Sequence, residues 1–293
     1  MNKQNFNKGL FLTAAGSFWW GFFGVMYFKY ISFAGHIEVV VHRSLWTTVT
    51  LLLTTIFFSK WNIFKKIISN KNELFFLLLS GILIFANWSI WIYAISVDQV
   101  INASFGYFIM PILSVFLGFF FFKEKLNSKR ILSISLVLLS IVYLIFVDFK
   151  SITWVGIGVA LSWGFYNLVR KKISVSTDIG LFIESIFILP FILVVFYFIT
   201  KNNLNDFAFS NPTLMFILMM AGPMTVIPLF LYVRGVELCG LGPTGMIFYI
   251  TPTLQFILGY FLYNEPFNTN QLVSFILIWI AVFIYLKDLY EKN

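Results

Sequence analysis

The sequence predicts an all-α membrane protein, ten transmembrane helices arranged as two inverted five-helix repeats. Three observations predict it. Of 293 residues, 60% are hydrophobic and 11% charged, against roughly 25% charged in a soluble domain, and the mean hydropathy is +0.90. Apolar runs of about 17–23 residues occur ten times, close to the roughly 20 residues that carry a helix across a bilayer. Landmark residues of the first half also return in the second at a fixed spacing. Such a composition excludes a soluble enzyme, a nucleic-acid binder and a peripheral membrane protein.

The first apolar run, 9–28, follows Lys3 and Lys8 as a signal peptide would. It is too long for one and lacks a small-residue cleavage site at its end, so it reads as an uncleaved first helix. The later runs are 37–58, 73–95, 101–122, 130–147, 152–170, 180–200, 213–233, 241–262 and 271–287. Backbone amides in lipid must bond within their own segment, which makes these continuous runs helices, whereas a barrel would show alternating strands of about ten residues. The longest connections, 59–72 and 201–212, are short, so consecutive helices should pack as neighbours. With the N-terminus inside, 16 Lys and Arg residues fall on the inner side and only Lys29, Lys150 and Lys201 outside. The positive-inside rule then places both termini in the cytoplasm. It also accounts for the net charge of +8 without nucleic acid as a partner. The lone Cys239 leaves no internal disulfide or cysteine metal cluster.

Pro111, Gly118 and Glu124 return as Pro252, Gly259 and Glu265, each 141 residues later. Trp20-Gly21 returns as Trp163-Gly164 after 143. The chain therefore divides into repeats of residues 1–148 and 151–293. Five spans is an odd number, so the second repeat enters the membrane inverted. Inverted repeats build two gates around one central site in many secondary transporters. A duplicated bundle serving as scaffold or enzyme is the alternative.

Several local patterns carry a more specific likeness: Trp20-Gly21, Glu38 with His42-Arg43, Asn87-Trp88, the stretch Ala103 to Phe108, the stretch Leu168 to Ile173, Ile183-Glu184, and the stretch Tyr249 to Thr253. Along essentially its whole length the chain resembles the RarD-type members of the EamA branch of the drug/metabolite transporter superfamily. The resemblance implies two five-helix EamA-like repeats, a bacterial inner-membrane location and export or exchange of small organic metabolites. It does not imply a substrate.

Ionisable groups at membrane depth are costly, and each requires an account. Arg43 and His42 lie about a turn and a half into the second span, with Glu38 one turn before His42 on the same face. As a functional group Arg43 would hold an anion near the external mouth, with His42 as a candidate proton carrier. As a structural group it would snorkel to the headgroups or pair with Glu38. Glu184, near the start of the seventh span, is either a helix-end carboxylate satisfied by Arg170, Lys171 and Lys172, or a group that binds an amine or carries a proton. Glu124 and Glu265 end matched helices in opposite leaflets and read as gate or cap residues.

Asn87 with Trp88 and Trp91, Asn102 with Ser104 and Tyr107, and Tyr249 supply polar and aromatic groups inside the bundle. They suit either a cavity for an amphipathic metabolite or the joining of helices. Pro111 and Pro252 each free a carbonyl one turn earlier and suggest matched kinks serving as gating hinges.

The motifs of enzymes are absent: no nucleotide-binding loop, no His-Glu-x-x-His and no Gly-x-Ser-x-Gly. His36 and His42 have only Glu38 nearby, so no metal and no cofactor is expected. The expected partners are a small-molecule substrate, the lipid bilayer and, as a candidate coupling ion, the proton, with the chain acting as monomer or homodimer. Alternatives are an importer of a nucleoside-like or vitamin-like compound, and a membrane-embedded transferase. Topology gives a direct test. Cysteines replacing Ser128 and Asn268 in a Cys239→Ser background should react with an impermeant reagent from opposite sides of the membrane. Labelling of both from one side would contradict the inversion.

Overall fold

The computed structural model describes residues 3–97, 100–149, 154–263 and 269–292, and among them every regular element is helical. The first span is one 32-residue rod, Lys3–Ala34. It runs from α1 (Lys3–Trp19) through a π-helical turn, Trp20–Gly24, into α2 (Val25–Tyr30) and a closing 3-10 turn, Ile31–Ala34. Gly35, at φ +77°, takes a conformation that side chains disfavour and starts α3 (His36–Phe57) in a new direction. The half is completed by α4 (Trp61–Ile68), α5 (Lys71–Ser96), α6 (Val100–Phe122) and α7 (Ser128–Leu144). The second half contains α8 (Trp154–Lys172), α9 (Thr177–Lys201), α10 (Pro212–Met219), α11 (Ala221–Cys239), α12 (Leu241–Ile247), α13 (Ile250–Tyr263) and α14 (Thr269–Lys292).

Asparagines start several of these helices. Asn70 accepts from the amides of Asn72 and Glu73, Asn127 from Arg130, and Asn211 from Leu214, with Pro212 in the first helical position. Each side-chain oxygen satisfies an amide that has no partner inside its own helix.

The repeat is visible in reciprocal contacts. Where α7 crosses α14, Ser133 donates to the carbonyl of Ala281 and Ser140 to that of Ser274. Ser133 and Ser274 are equivalent positions 141 residues apart, as are Ser140 and Ala281. Tyr249 likewise donates at 2.8 Å to the carbonyl of Phe108, its own equivalent 141 residues earlier, and Trp20 meets Trp163 edge to face at 5.3 Å. Small residues permit the tightest crossings. A methyl group at Gly16 of α1 would lie 2.9 Å from the Pro228 carbonyl of α11, and one at Gly222 would collide with the Trp46 carbonyl of α3.

Two features differ from the sequence expectation. The connection 59–72 contains α4, whose Ile67 is buried while Trp61 and Ile63 stay exposed; apolar residues at helical spacing beside Lys65 and Lys66 were its signal. The two proline positions also differ in local structure. In the first half α6 continues through Pro111, but in the second the ninth span breaks at Phe248–Tyr249, between α12 and α13. There the Phe248 carbonyl, which Pro252 cannot bond, accepts from Thr251 instead at 2.8 Å. Among the described residues seven helices meet the length and apolarity of a span, with Gly106–Phe122 a shorter apolar stretch. The more polar α8 and the broken α12–α13 account for the difference from ten.

Gly222 lies one turn from Thr225, and Trp46 one turn from Arg43, so their contact fixes the spacing of α3 and α11 around Arg43. Gly222→Ala should lower stability by roughly 1–3 kcal/mol through overpacking, read as a fall in melting temperature in detergent. Gly24→Ala, whose methyl would meet nothing closer than 3.5 Å, should leave it near that of the parent.

Candidate functional site

Arg43 is the group around which the interior is arranged. It lies on α3 with 1% of its surface exposed. Removing a guanidinium from water costs several kcal/mol, and four aromatic rings from three helical segments supply much of the compensation. Its central carbon stands 4.6 Å from the ring centre of Phe28, 4.8 Å from Trp88, 5.5 Å from Trp20 and 5.7 Å from Trp91. Ring faces attract a cation, and more strongly in a dry site. Nε donates to Thr225 Oγ1 at 3.1 Å. Both terminal nitrogens lack a hydrogen-bond partner among the described residues. Tyr107 belongs to the same buried cluster as the four rings, and Tyr27 packs against it. Beyond this box Trp163, Tyr232 and Phe248 continue the aromatic cluster, with Trp163 5.3 Å from Tyr232 and 6.1 Å from Phe248. An arrangement of this kind can hold an anionic group on two parallel donors and an apolar body against rings.

Glu38 does not pair with Arg43. Its carboxylate accepts from the amides of Asp206 at 2.8 Å and Phe207 at 3.1 Å, tying the connection after α9 to the start of α3. His42 sits between Glu38 and Trp46 on the same face. Trp46 Nε1 donates to its Nδ1 at 3.1 Å, so Nε2 carries the proton and donates to Glu38 Oε1 at 3.3 Å. Both ring nitrogens are thereby engaged, and Phe207 covers the ring at 4.8 Å.

Glu184 occupies the position 141 residues after Arg43 and is equally buried, at 2% exposure. It accepts from Ser80 at 2.6 Å and Tyr166 at 3.3 Å, and Arg170 Nη1 stands 3.4 Å from it. Of the basic run, only Arg170 reaches this carboxylate. Lys171 donates to the carbonyls of Val236 and Glu237 at the end of α11, and Lys172 lies over the Phe76 ring. Arg170 also faces Glu237 at 3.7 Å, which in turn binds Arg234 at 2.6 Å. Gly180 makes the guanidinium's place, since a methyl there would overlap Nη1. A cavity of about 20 Å³, bordered by Ser44, Thr47, Trp88 and Glu184, leaves room for a single water beside this carboxylate.

Of the residues singled out from sequence, Arg43, Trp88, Trp91 and Tyr107 come together. Asn87 instead joins α5 to α8 through Val159 and Ser162, and Tyr249 packs with Phe108 in a separate cluster. The side chains of Asn102 and Ser104, and the whole of Glu265, lie outside the described residues. Sequence reasoning missed Phe28, Thr225 and Tyr232, and took Trp20 only as a repeat marker. For Tyr232 a signal existed, because it is the equivalent of Trp91 at the same 141-residue spacing.

The family model of the EamA-like transporters matches residues 7–146 and again 150–287. The chain belongs to the EamA-like transporter family. Its two matches make this EamA-like chain a multi-pass membrane protein of two repeats. It is 30% identical to "Protein RarD" of Escherichia coli over 98% of this chain and 97% of that one. It is 31% identical to an uncharacterized transporter of Vibrio cholerae, with 98% and 94% covered, and 31% identical to the uncharacterized transporter YojE of Bacillus subtilis, with 97% and 95% covered. A solved structure described as "Crystal structure of protein" superposes with a TM-score of 0.66 at 10% identity over 97% of each chain, a likeness of fold alone.

The Glu184–Arg170 pair should behave as a buried ion pair does. Removing one partner strands the other, at roughly 3–5 kcal/mol, whereas replacing both is far milder. Glu184→Gln should therefore melt well below the parent, and Glu184→Gln with Arg170→Met should recover part of the loss. A double variant less stable than the single one would show that the two charges do not compensate each other.

Proposed function

We propose that this chain is a secondary transporter that moves a small, amphipathic, amino-acid-like metabolite by alternating access, as an exporter or exchanger, with Arg43 holding the anionic group. One observation carries the reading: a guanidinium buried in an aromatic box presents two donors with no partner among the described residues. Buried donors are ordinarily satisfied, and a carboxylate matches two parallel guanidinium donors in geometry and charge. The rings of Trp20, Phe28, Trp88 and Trp91 would then serve twice, steadying the cation in the empty site and packing the substrate's apolar part in the loaded one. Tyr107, with Phe248 at 5.6 Å, extends that apolar wall. Movement is driven by the substrate's own gradient or by protons, for which His42, Glu38 and Glu184 are the candidate carriers. The relatives' names support transport as a class.

An untargeted comparison of metabolites inside and outside cells with and without the protein supplies the substrate. Binding to purified variants then tests the anchor. Arg43→Lys should weaken binding because an ammonium cannot reproduce the paired donors. Arg43→Gln should weaken it further, by ~2–5 kcal/mol. Folded Arg43→Gln protein that binds as tightly as the parent would remove Arg43 from the site.

A further inference from the structure

At the end of the bundle that carries the start of α1 and the end of α14, α6 of the first half meets α12 of the second. Lys123, at φ +52°, ends α6, and the Glu124 amide folds back to bond the Gly118 carbonyl at 3.1 Å. The Glu124 carboxylate is thereby turned across to the other half. Oε1 accepts from the amide of Leu241 at 2.8 Å and Oε2 from that of Gly242 at 2.9 Å. Three glycines make room for it. A methyl at Gly118 or Gly240 would stand 2.7 Å from one of its oxygens, and one at Gly242 2.8 Å. Gly240 also turns the chain at φ +93°, where other residues are strained. From the far side Lys171 holds the last carbonyls of α11.

The seam closed by Glu124 continues inward. Gly245 lies against Ser114 and the Pro111 carbonyl, and Tyr107 meets Phe248, whose ring belongs to the aromatic cluster next to Arg43. Among the described residues Glu124 makes the outermost hydrogen bonds between α6 and α12 at this end. It is half-buried, so a carboxylate leaving the two amides moves directly into water. The repeat-related position in sequence carries Glu265 and Gly259, but Gln99 and Ile101 stand where Gly240 and Gly242 would be. The glycines at 240 and 242 thus have no glycine counterparts in the first half.

We propose that Glu124 is the gate-positioning residue of this end of the transport route, which stays closed while its carboxylate holds the amides of Leu241 and Gly242 and opens when it lets go. Cys239, the single cysteine, is 4% exposed and adjoins Gly240, and so reports the seam without further engineering. In membrane vesicles of either orientation, a membrane-impermeant maleimide should alkylate Cys239 slowly in the parent. Glu124→Gln replaces one of the two accepting oxygens with an NH2 donor that faces a backbone N–H, and should raise the rate about 10- to 100-fold from the face that carries the chain termini and not from the other. Gly242→Ala, which crowds both Glu124 and Tyr285, should do the same if Glu124→Gln cannot be produced. Glu291→Gln, which removes an exposed carboxylate paired with Lys129 at the same end, should leave the rate unchanged. An unaltered rate in folded Glu124→Gln protein, or an equal rise from both faces as general destabilisation would give, overturns the proposal. No substrate is needed, so the result stands whatever Arg43 binds.

Discussion

Two copies of one helical pattern, packed together in a membrane, must find in each other the partners that lipid withholds. That constraint governs the packing. Ser133 and Ser140 of α7 donate across to carbonyls of α14 rather than only within their own helix. The tyrosine of the second repeat's ninth span bonds the carbonyl at its own equivalent position in the first. Glu124 completes the pattern by satisfying the free amides at the start of a helix in the opposite half.

The same constraint explains how one position can carry opposite charges in the two repeats. Arg43 in the first half and Glu184 in the second occupy equivalent sites two turns into their helices. The carboxylate is neutralised conventionally, by Arg170 and two hydroxyls. The guanidinium is surrounded by ring faces instead, which lower the cost of burial without consuming its terminal donors. One charge is fully partnered, and the other is left with bonding capacity. The aromatic enrichment of the chain follows in part from this division, because a dry cation needs π-electron density where it lacks an anion.

Much of this was legible in the residues. Span positions, the two repeats and the burial of Arg43 follow from apolar run lengths and from a fixed spacing between landmark residues. The partners of Arg43 were harder to foresee. Phe28 lies on the far side of a π-helical turn that shifts the helical face by a fraction of a turn, and Thr225 comes from a helix 182 residues away. Periodicity reports which face of a helix is apolar, but not which ring on that face meets a particular cation. Glu38 illustrates the converse failure. Its sequence neighbours suggest an arginine partner, yet backbone amides of a connection 168 residues away take its oxygens. Partners supplied by main-chain groups leave no trace in residue identity.

The break at Phe248–Tyr249 has a mechanical consequence. The first half presents an uninterrupted rod through Pro111, whereas its counterpart is jointed next to Pro252. A jointed rod bends locally, while an uninterrupted one must tilt as a whole and drag its neighbours along. Under the alternating-access reading proposed above, the two halves would then present barriers of different height in a molecule whose blueprint is nearly symmetric. Unequal barriers make a passive carrier cross faster in one kinetic regime than another. Microscopic reversibility forbids them from choosing the direction of net flow, which belongs to the gradients on either side of the membrane.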